Sequence, residues 1–396
     1  MRNVARMAGA AALTVLVVAC GPRATGSVAS ESRVTTSPSV LATTTVTPCG
    51  ASNRCLALVT LRGSDQVVIR DVTDIAHPKT VGTVDHLAAQ SGRFVRVDWG
   101  QEATAPLFRS GSMVTFAVPP DMLGVPVGGQ ADRLPPPYPG IQQYAWSPDG
   151  AAIVLDSGEQ STSASTSVFL LMNVEGANSE SPATWFKRIG TIPVLGAGGC
   201  EALASCNIPN FLDVRLLYSP DGTRISLVIN SFAASVFRVW AADGTLLKSD
   251  DGRGWTMSVW SGSGLYFRGS DGVSVLRNGS ISTFLPGVAW IKPSASPGGG
   301  RIVYSARDSA GWAHTYVVDT GTGKVRELNK ARTGGVFLTS RFIWYQGERA
   351  CLASENCGSS PAIHPLSGKS YIYDLQDGTE TESLITGVFD VWPHAA

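Results

Sequence analysis

The residues whose type and spacing most directly imply chemistry in this 396-residue chain are its seven cysteines. Six of them form three pairs with one internal spacing: Cys49/Cys55, Cys200/Cys206 and Cys351/Cys357, five residues intervening each time. A short repeated spacing of this kind suits local disulfides in an oxidising compartment. Each bridge would close a small loop, worth roughly 2–3 kcal/mol if chain entropy dominates. The rival chemistry is metal binding. Zinc-binding cysteine pairs usually have two to four residues between them and histidines close by. Here the five histidines (His77, His86, His314, His364, His394) are scattered. There is no Cys-x-x-Cys pair, so redox catalysis lacks its motif. The expectation is three disulfides that pin loops, with no metal and no cofactor.

The seventh cysteine, Cys20, follows a different pattern. Arg2 and Arg6 precede an apolar run of 13 residues, Met7 to Ala19, too short to cross a bilayer. The run ends in Val17-Val18-Ala19-Cys20. This resembles the lipobox of bacterial lipoproteins, and the resemblance implies that the Cys20 thiol carries a diacylglycerol and becomes the mature N-terminus. The alternative is an ordinary signal peptide with a chance cysteine. Stable anchoring needs two or more acyl chains, since each buried methylene adds only ~0.8 kcal/mol. Residues 21–48 are rich in Ser, Thr, Val, Ala and Pro without aromatics. They read as a flexible tether spanning on the order of 30 Å. The organisation is then signal peptide 1–20, tether 21–48 and folded domain 49–396, outside the cytoplasm, with the membrane as a partner through the lipid.

Composition narrows the function classes. Lys+Arg and Asp+Glu are equal at 31 each, which leaves nucleic acid without electrostatic support. There is no Gly-x-Ser-x-Gly elbow, no phosphate-binding Gly-x-x-x-x-Gly-Lys-Ser/Thr and no His-Glu-x-x-His. Ser249-Asp-Asp-Gly-Arg253 lacks the alternating ligands of a calcium loop and reads as a hairpin turn. Trp146, Trp260, Trp290 and Trp392 take similar places in their segments and read as wedges between packed sheets, rather than as a carbohydrate platform.

The elements that must hold these residues come from a repeat. Tyr144-Ala-Trp-Ser-Pro-Asp-Gly150 recurs as Leu216-Leu-Tyr-Ser-Pro-Asp-Gly222, with looser copies at Trp260–Gly264 and Ser296–Gly300. Each precedes a strand-like run. Proline presets φ, aspartate binds nearby backbone and glycine accepts positive φ, so the phrase is a tight connection between strands. Strand-like runs come in sets at intervals of roughly 40–60 residues, the range of four-stranded propeller blades. The sets begin near Cys55, Phe94, Ile141, Val214, Trp255, Val288 and Val336. The second is the poorest, and its Pro/Gly-rich stretch Pro119–Gly140 reads as an insertion. The first set lacks an inner strand, and Gly387-Val-Phe-Asp-Val-Trp392 is left over at the other end. Pairing them closes a ring and removes the open edges. The fold expected is an all-β propeller of seven four-stranded blades, with six as the alternative, closed by the C-terminal strand.

Ser-Pro-Asp-Gly with its following Ile/Val-rich strand, and then Val239-Trp-Ala-Ala-Asp-Gly244, Val317-Val-Asp-Thr-Gly321 and Ile372-Tyr-Asp-Leu-Gln-Asp-Gly378, resemble the repeat of TolB and related WD-repeat-like propellers of the bacterial envelope. The resemblance covers about residues 50–396 and is sharpest at 144–155 and 216–229. It implies a fold. The function expected is non-catalytic: a rigid scaffold on a tether binding a protein or envelope polymer. The alternative is a propeller hydrolase or lyase acting on surface glycans or peptides.

Overall fold

The computed structural model describes residues 55–64, 67–84, 95–97, 112–117, 122–126, 132–133, 141–146, 152–157, 165–172, 186–193, 211–231, 235–262, 264–357 and 363–392, and every regular element among them is a β-strand. The strands form seven four-stranded antiparallel sheets. In chain order these are β1 (Leu56–Leu61), β2 (Val67–Asp71) and β3 (Lys79–Val84); β4 (Val95–Val97), β5 (Ser112–Ala117), β6 (Met122–Pro126) and β7 (Asp132–Arg133); β8 (Ile141–Trp146), β9 (Ala152–Ser157), β10 (Ser165–Met172) and β11 (Phe186–Pro193); β12 (Phe211–Tyr218), β13 (Arg224–Ser231), β14 (Ser235–Ala241) and β15 (Leu246–Ser249); β16 (Thr256–Ser261), β17 (Gly264–Gly269), β18 (Gly272–Arg277) and β19 (Ser280–Pro286); β20 (Ile291–Ala295), β21 (Arg301–Arg307), β22 (Ala313–Asp319) and β23 (Val325–Lys330); β24 (Arg332–Phe337), β25 (Phe342–Glu348), β26 (Leu366–Asp374) and β27 (Glu380–Ser383); and β28 (Ile385–Trp392). Each sheet is a simple meander except the first, whose order is β28-β1-β2-β3. The leading strands β8, β12, β16, β20 and β24 lie each beside the next. That arrangement is a β-propeller.

The Ser-Pro-Asp-Gly turn works as its chemistry requires. Asp221 Oδ1 accepts from Ser219 Oγ at 2.6 Å and from the Thr223 amide at 3.0 Å, while the Gly222 amide donates to Ser219 O at 2.9 Å. Gly222 has φ 69°, a left-handed value that glycine adopts without strain. The aspartate is a turn former, its Oδ1 held by groups within the turn.

The core lies between neighbouring sheets. Phe237 on β14 meets Phe267 on β17 edge-on at 4.8 Å, and Trp255 meets Phe267 at 4.7 Å. Indole N–H groups fasten one sheet to the next. Trp260 Nε1 donates to Ser226 Oγ on β13 (2.8 Å), Trp290 Nε1 to Met257 O on β16 (3.1 Å) and Trp344 Nε1 to Ile385 O on β28 (2.9 Å). Trp260 and Trp290 are buried wedges as expected. The side chains of Trp146 and Trp392 lie outside the described residues. Trp240, equally buried, lies over Gly190 of β11, where a Cβ would stand 3.1 Å from the indole ring.

β28 pairs antiparallel with β1, from Leu56 opposite Trp392 to Leu61 opposite Ile385. The first and last sheets also share one cluster, in which Cys55, Ala57 and Val59 pack with Leu338, Trp344 and Ile385. The C-terminal strand therefore closes the structure, and it starts two residues earlier than the sequence suggested.

One expectation needs correction. Pro119–Gly140 is not simply an insertion: β6 and β7 lie within it and complete the second sheet, Met122-Leu-Gly-Val-Pro126 pairing with β5. Proline and glycine read as strand breakers, but a terminal proline and a central glycine are tolerated once a partner strand supplies the ladder. The inner strands also carry a feature the sequence did not suggest. β8, β12, β16, β20 and β24 each have a register shift near their start, and Met257, Lys292 and Gly334 there take left-handed φ of 50°, 49° and 69°. In β16 this bulge accompanies the Met257 carbonyl that receives the Trp290 indole.

Candidate functional site

Antiparallel meanders place the β21–β22 and β25–β26 connections against each other at one end of two neighbouring sheets. In the first, Asp308 builds the turn: its Oδ1 accepts the Ala310 and Trp312 amides, both at 2.9 Å, and its carbonyl accepts the Gly311 amide at 3.0 Å. In the second, a disulfide joins Cys351 to Cys357, with 6.2 Å between their Cα atoms. Beside that loop Arg349 grips Glu355 through its two terminal guanidinium nitrogens, at 2.8 and 2.5 Å, and Glu355 Oε2 also accepts the Leu352 amide at 2.9 Å. The bond from Arg349, then that amide, hold the Glu355 carboxyl at about 2.

Two contacts dock the loops. The Trp312 and His364 rings stack at 3.6 Å with 14° between planes, and His364 Nε2 donates to Ala310 O at 3.1 Å. Beneath them Glu348, its side chain 1% exposed, accepts from Arg307 and from the Ala313 amide, each at 2.8 Å. Above, Leu352, Ile363 and Leu366 remain exposed at 57%, 62% and 46%. Leu352 lies within the seven-residue loop that the disulfide closes, and a covalently restrained loop is suited to recognition because less conformational freedom is lost when it engages a partner.

His314 on β22 is the titratable centre of this end. Its Nδ1 lies 2.6 Å from Glu327 Oε1 and its Nε2 lies 3.1 Å from Asp308 Oδ2, which also meets Lys330 Nζ at 3.4 Å. Carboxylates only accept, so the ring satisfies both when it carries both protons. Burial opposes that charge, but the bonds to Glu327 and Asp308 prevail and raise the imidazolium above its ordinary pKa. The bond from His314 likewise holds Asp308 at about 2. A histidine committed at both nitrogens offers no lone pair for proton abstraction.

A second polar cluster joins the same two sheets. Arg332 forks onto Glu380 at 3.0 and 2.6 Å, Asn329 Nδ2 adds a bond at 2.7 Å, Tyr345 OH donates to the same carboxylate and the guanidinium lies 3.9 Å from the Tyr371 ring centre. Every lone pair of consequence is occupied, and the cluster acts as an inter-sheet fastening. Among the described residues one trio has metal-ligand proximity, Cys351, Glu355 and Cys357. Its sulfurs are bonded to each other and its carboxylate to Arg349, so no ligand set is left. Asp251 of the Ser249–Arg253 segment accepts the Phe237 amide at 3.1 Å and pairs with Arg238, as a turn residue does.

Of the cysteines singled out from sequence, Cys351 and Cys357 thus belong to this loop end. Cys55 is buried at the start of β1 and disulfide-bonded. Cys20, Cys49, Cys200 and Cys206 lie outside the described residues. Asp308, Trp312, His314, Glu327 and His364 were not foreseen. No motif links them: the register Ala306–His314–Lys330 across β21, β22 and β23 brings the first group together.

No family model and no curated protein matches the chain. Solved structures do. One of two prolyl endopeptidases, studied for the role of inter-domain dynamics in catalysis and specificity, is 12% identical with a TM-score of 0.52, over 85% of this chain and 49% of that one. The chain thus spans about half the length of that enzyme. An oligogalacturonate lyase from Vibrio parahaemolyticus is 9% identical with a TM-score of 0.50, over 84% and 85% of the two chains. A putative TolB from Agrobacterium tumefaciens is 13% identical with a TM-score of 0.39, over 70% and 89%. Identities this low speak to fold alone, and the sheet order agrees with them: the chain is an all-β propeller protein.

Proposed function

We propose that this protein is an exported lipoprotein whose seven sheets are the blades of one propeller, held near the membrane by lipid on Cys20 and the 21–48 tether, and that it binds a protein or envelope polymer without chemistry. The observation that carries the binding reading is the β25–β26 connection. Its 351–357 segment is closed by a disulfide and braced by Arg349–Glu355, His364 docks it on Trp312, and Leu352 and Ile363 are exposed. The commitment of both His314 nitrogens supports binding over hydrolysis or lyase chemistry at this end. Its TolB-like character rests on the repeat motifs, and the remaining bridges are Cys49–Cys55 and Cys200–Cys206.

The test is site-specific photo-cross-linking in intact cells. A photoreactive residue at Leu352 or Ile363 should give one defined adduct, competed by excess soluble domain. Ser340, exposed at the opposite end of the same sheet, is the control. Equal capture at Ser340, or none at Leu352 and Ile363, refutes the assignment of this face.

A further inference from the structure

Taking this loop end as the binding face, we propose that loss of a proton from His314 unlocks the β21–β22 turn and, through Trp312 and His364, loosens the disulfide-closed connection. The binding face is then ordered in acid and relaxed in alkali.

The groups around the ring are Asp308 from the turn, Glu327 and Lys330 from β23, and Tyr316 from its own strand, whose ring lies 6.2 Å away and nearly parallel. Arg307 and Glu348 on the neighbouring strands are bonded to each other. Both carboxylates are satisfied together only by an imidazolium. A neutral ring keeps one N–H and turns a lone pair on the other oxygen. The Glu327 contact is shorter, 2.6 against 3.1 Å, so the remaining proton stays on Nδ1 and the bare Nε2 faces Asp308 Oδ2. Asp308 then holds only Lys330 through that oxygen. Rotating away from the lone pair draws its other oxygen from the Ala310 and Trp312 amides, which are the bonds that shape the turn.

The consequence travels because His364 is held by that turn. Its ring rests on Trp312, its Nε2 donates to Ala310 O, and its buried Nδ1 has no hydrogen-bond partner among the described residues. Three residues of one turn therefore carry both the proton-sensitive bond and the contacts that seat His364, whose neighbours Ile363 and Pro365 bond back to Cys357 and Arg349 at 3.1 and 2.9 Å.

Hydrogen exchange of the full mature chain at about pH 5.5 and about pH 8.5, corrected for intrinsic rates, tests this without any ligand. Exchange over 308–314 and over 349–357 should rise together at the higher pH, roughly three- to tenfold, the worth of one hydrogen bond. His314→Gln should show the faster exchange at both values. Glu327→Gln should hold both segments ordered at both values, because an amide can donate to a neutral Nδ1 and leave Nε2–H for Asp308. Unchanged protection in the natural chain, a change confined to one segment, or pH dependence persisting in Glu327→Gln overturns the proposal. Such a failure leaves the cross-linking result standing, since the two experiments share no readout.

Discussion

Ending the chain at Leu384 should abolish cooperative folding, and the size of the effect follows from what β28 does. The truncation removes buried Ile385 and Val391 and uncovers Leu56, Leu58 and Val59 of β1, all now inaccessible. Each fully buried aliphatic side chain contributes about 1.5–3 kcal/mol. Ile385 O is also the acceptor for Trp344 Nε1 and for Ser370 Oγ, and leaving a buried donor unsatisfied costs about 1–3 kcal/mol more. The losses together approach the ~5–15 kcal/mol net stability of a typical domain. They fall on the first and last sheets at once, because those sheets share one hydrophobic cluster. The assay is thermal unfolding followed by circular dichroism, comparing the full chain, the truncated chain and Trp344→Phe. The point variant loses one indole bond and part of a buried ring while Ser370 still donates to Ile385 O, so its midpoint should fall by several degrees with unfolding still cooperative. A truncated chain melting at the full-length midpoint would show that β28 is peripheral, and the closure argument would fail. A truncated chain no worse than Trp344→Phe would likewise show that β28 contributes little beyond its contact with Trp344.

Three other outcomes follow from the same reading. Cys20→Ser should release the protein from membranes or leave its signal uncleaved, and a variant that is cleaved and still fractionates with membranes refutes lipidation. Mass spectrometry of non-reduced peptides should find Cys49–Cys55 and Cys200–Cys206 beside Cys351–Cys357; free thiols or cross-pairing would contradict the local-bridge assignment. Glu355 is held at about 2 by Arg349, so its folded value lies below its unfolded one and the stabilisation is present above the ordinary carboxylate range and lost as pH falls toward that value. Glu355→Gln should therefore be less stable than the natural chain near neutrality and equal to it at about pH 2; a gap that widens in acid has the wrong sign for this account.

The parts of this protein legible in its sequence are those set by short-range chemistry. Ser219-Pro-Asp-Gly222 announces a turn because every bond that shapes it lies within six residues. Cys351 and Cys357 announce a bridge because so short a spacing leaves their sulfurs within reach whatever the rest of the chain does. Strand count even foretold the closure, since an unmatched run at each end leaves a sheet edge that pairing removes. Tertiary structure alone decided the rest. β6 and β7 look like loop until β5 supplies a ladder for them. The left-handed φ at Met257 and Lys292 has no local signature, because it belongs to bulges set by pairing with the adjacent strand. The loop-end site follows the same rule. His314 and Glu327 are 13 residues apart and Trp312 and His364 are separated by 52, and only the register across three strands and the packing of one sheet on the next put an imidazole between two carboxylates and an indole under a second ring. Turns and short bridges are written in neighbouring residues; a site assembled from strand register exists only once the sheets have formed.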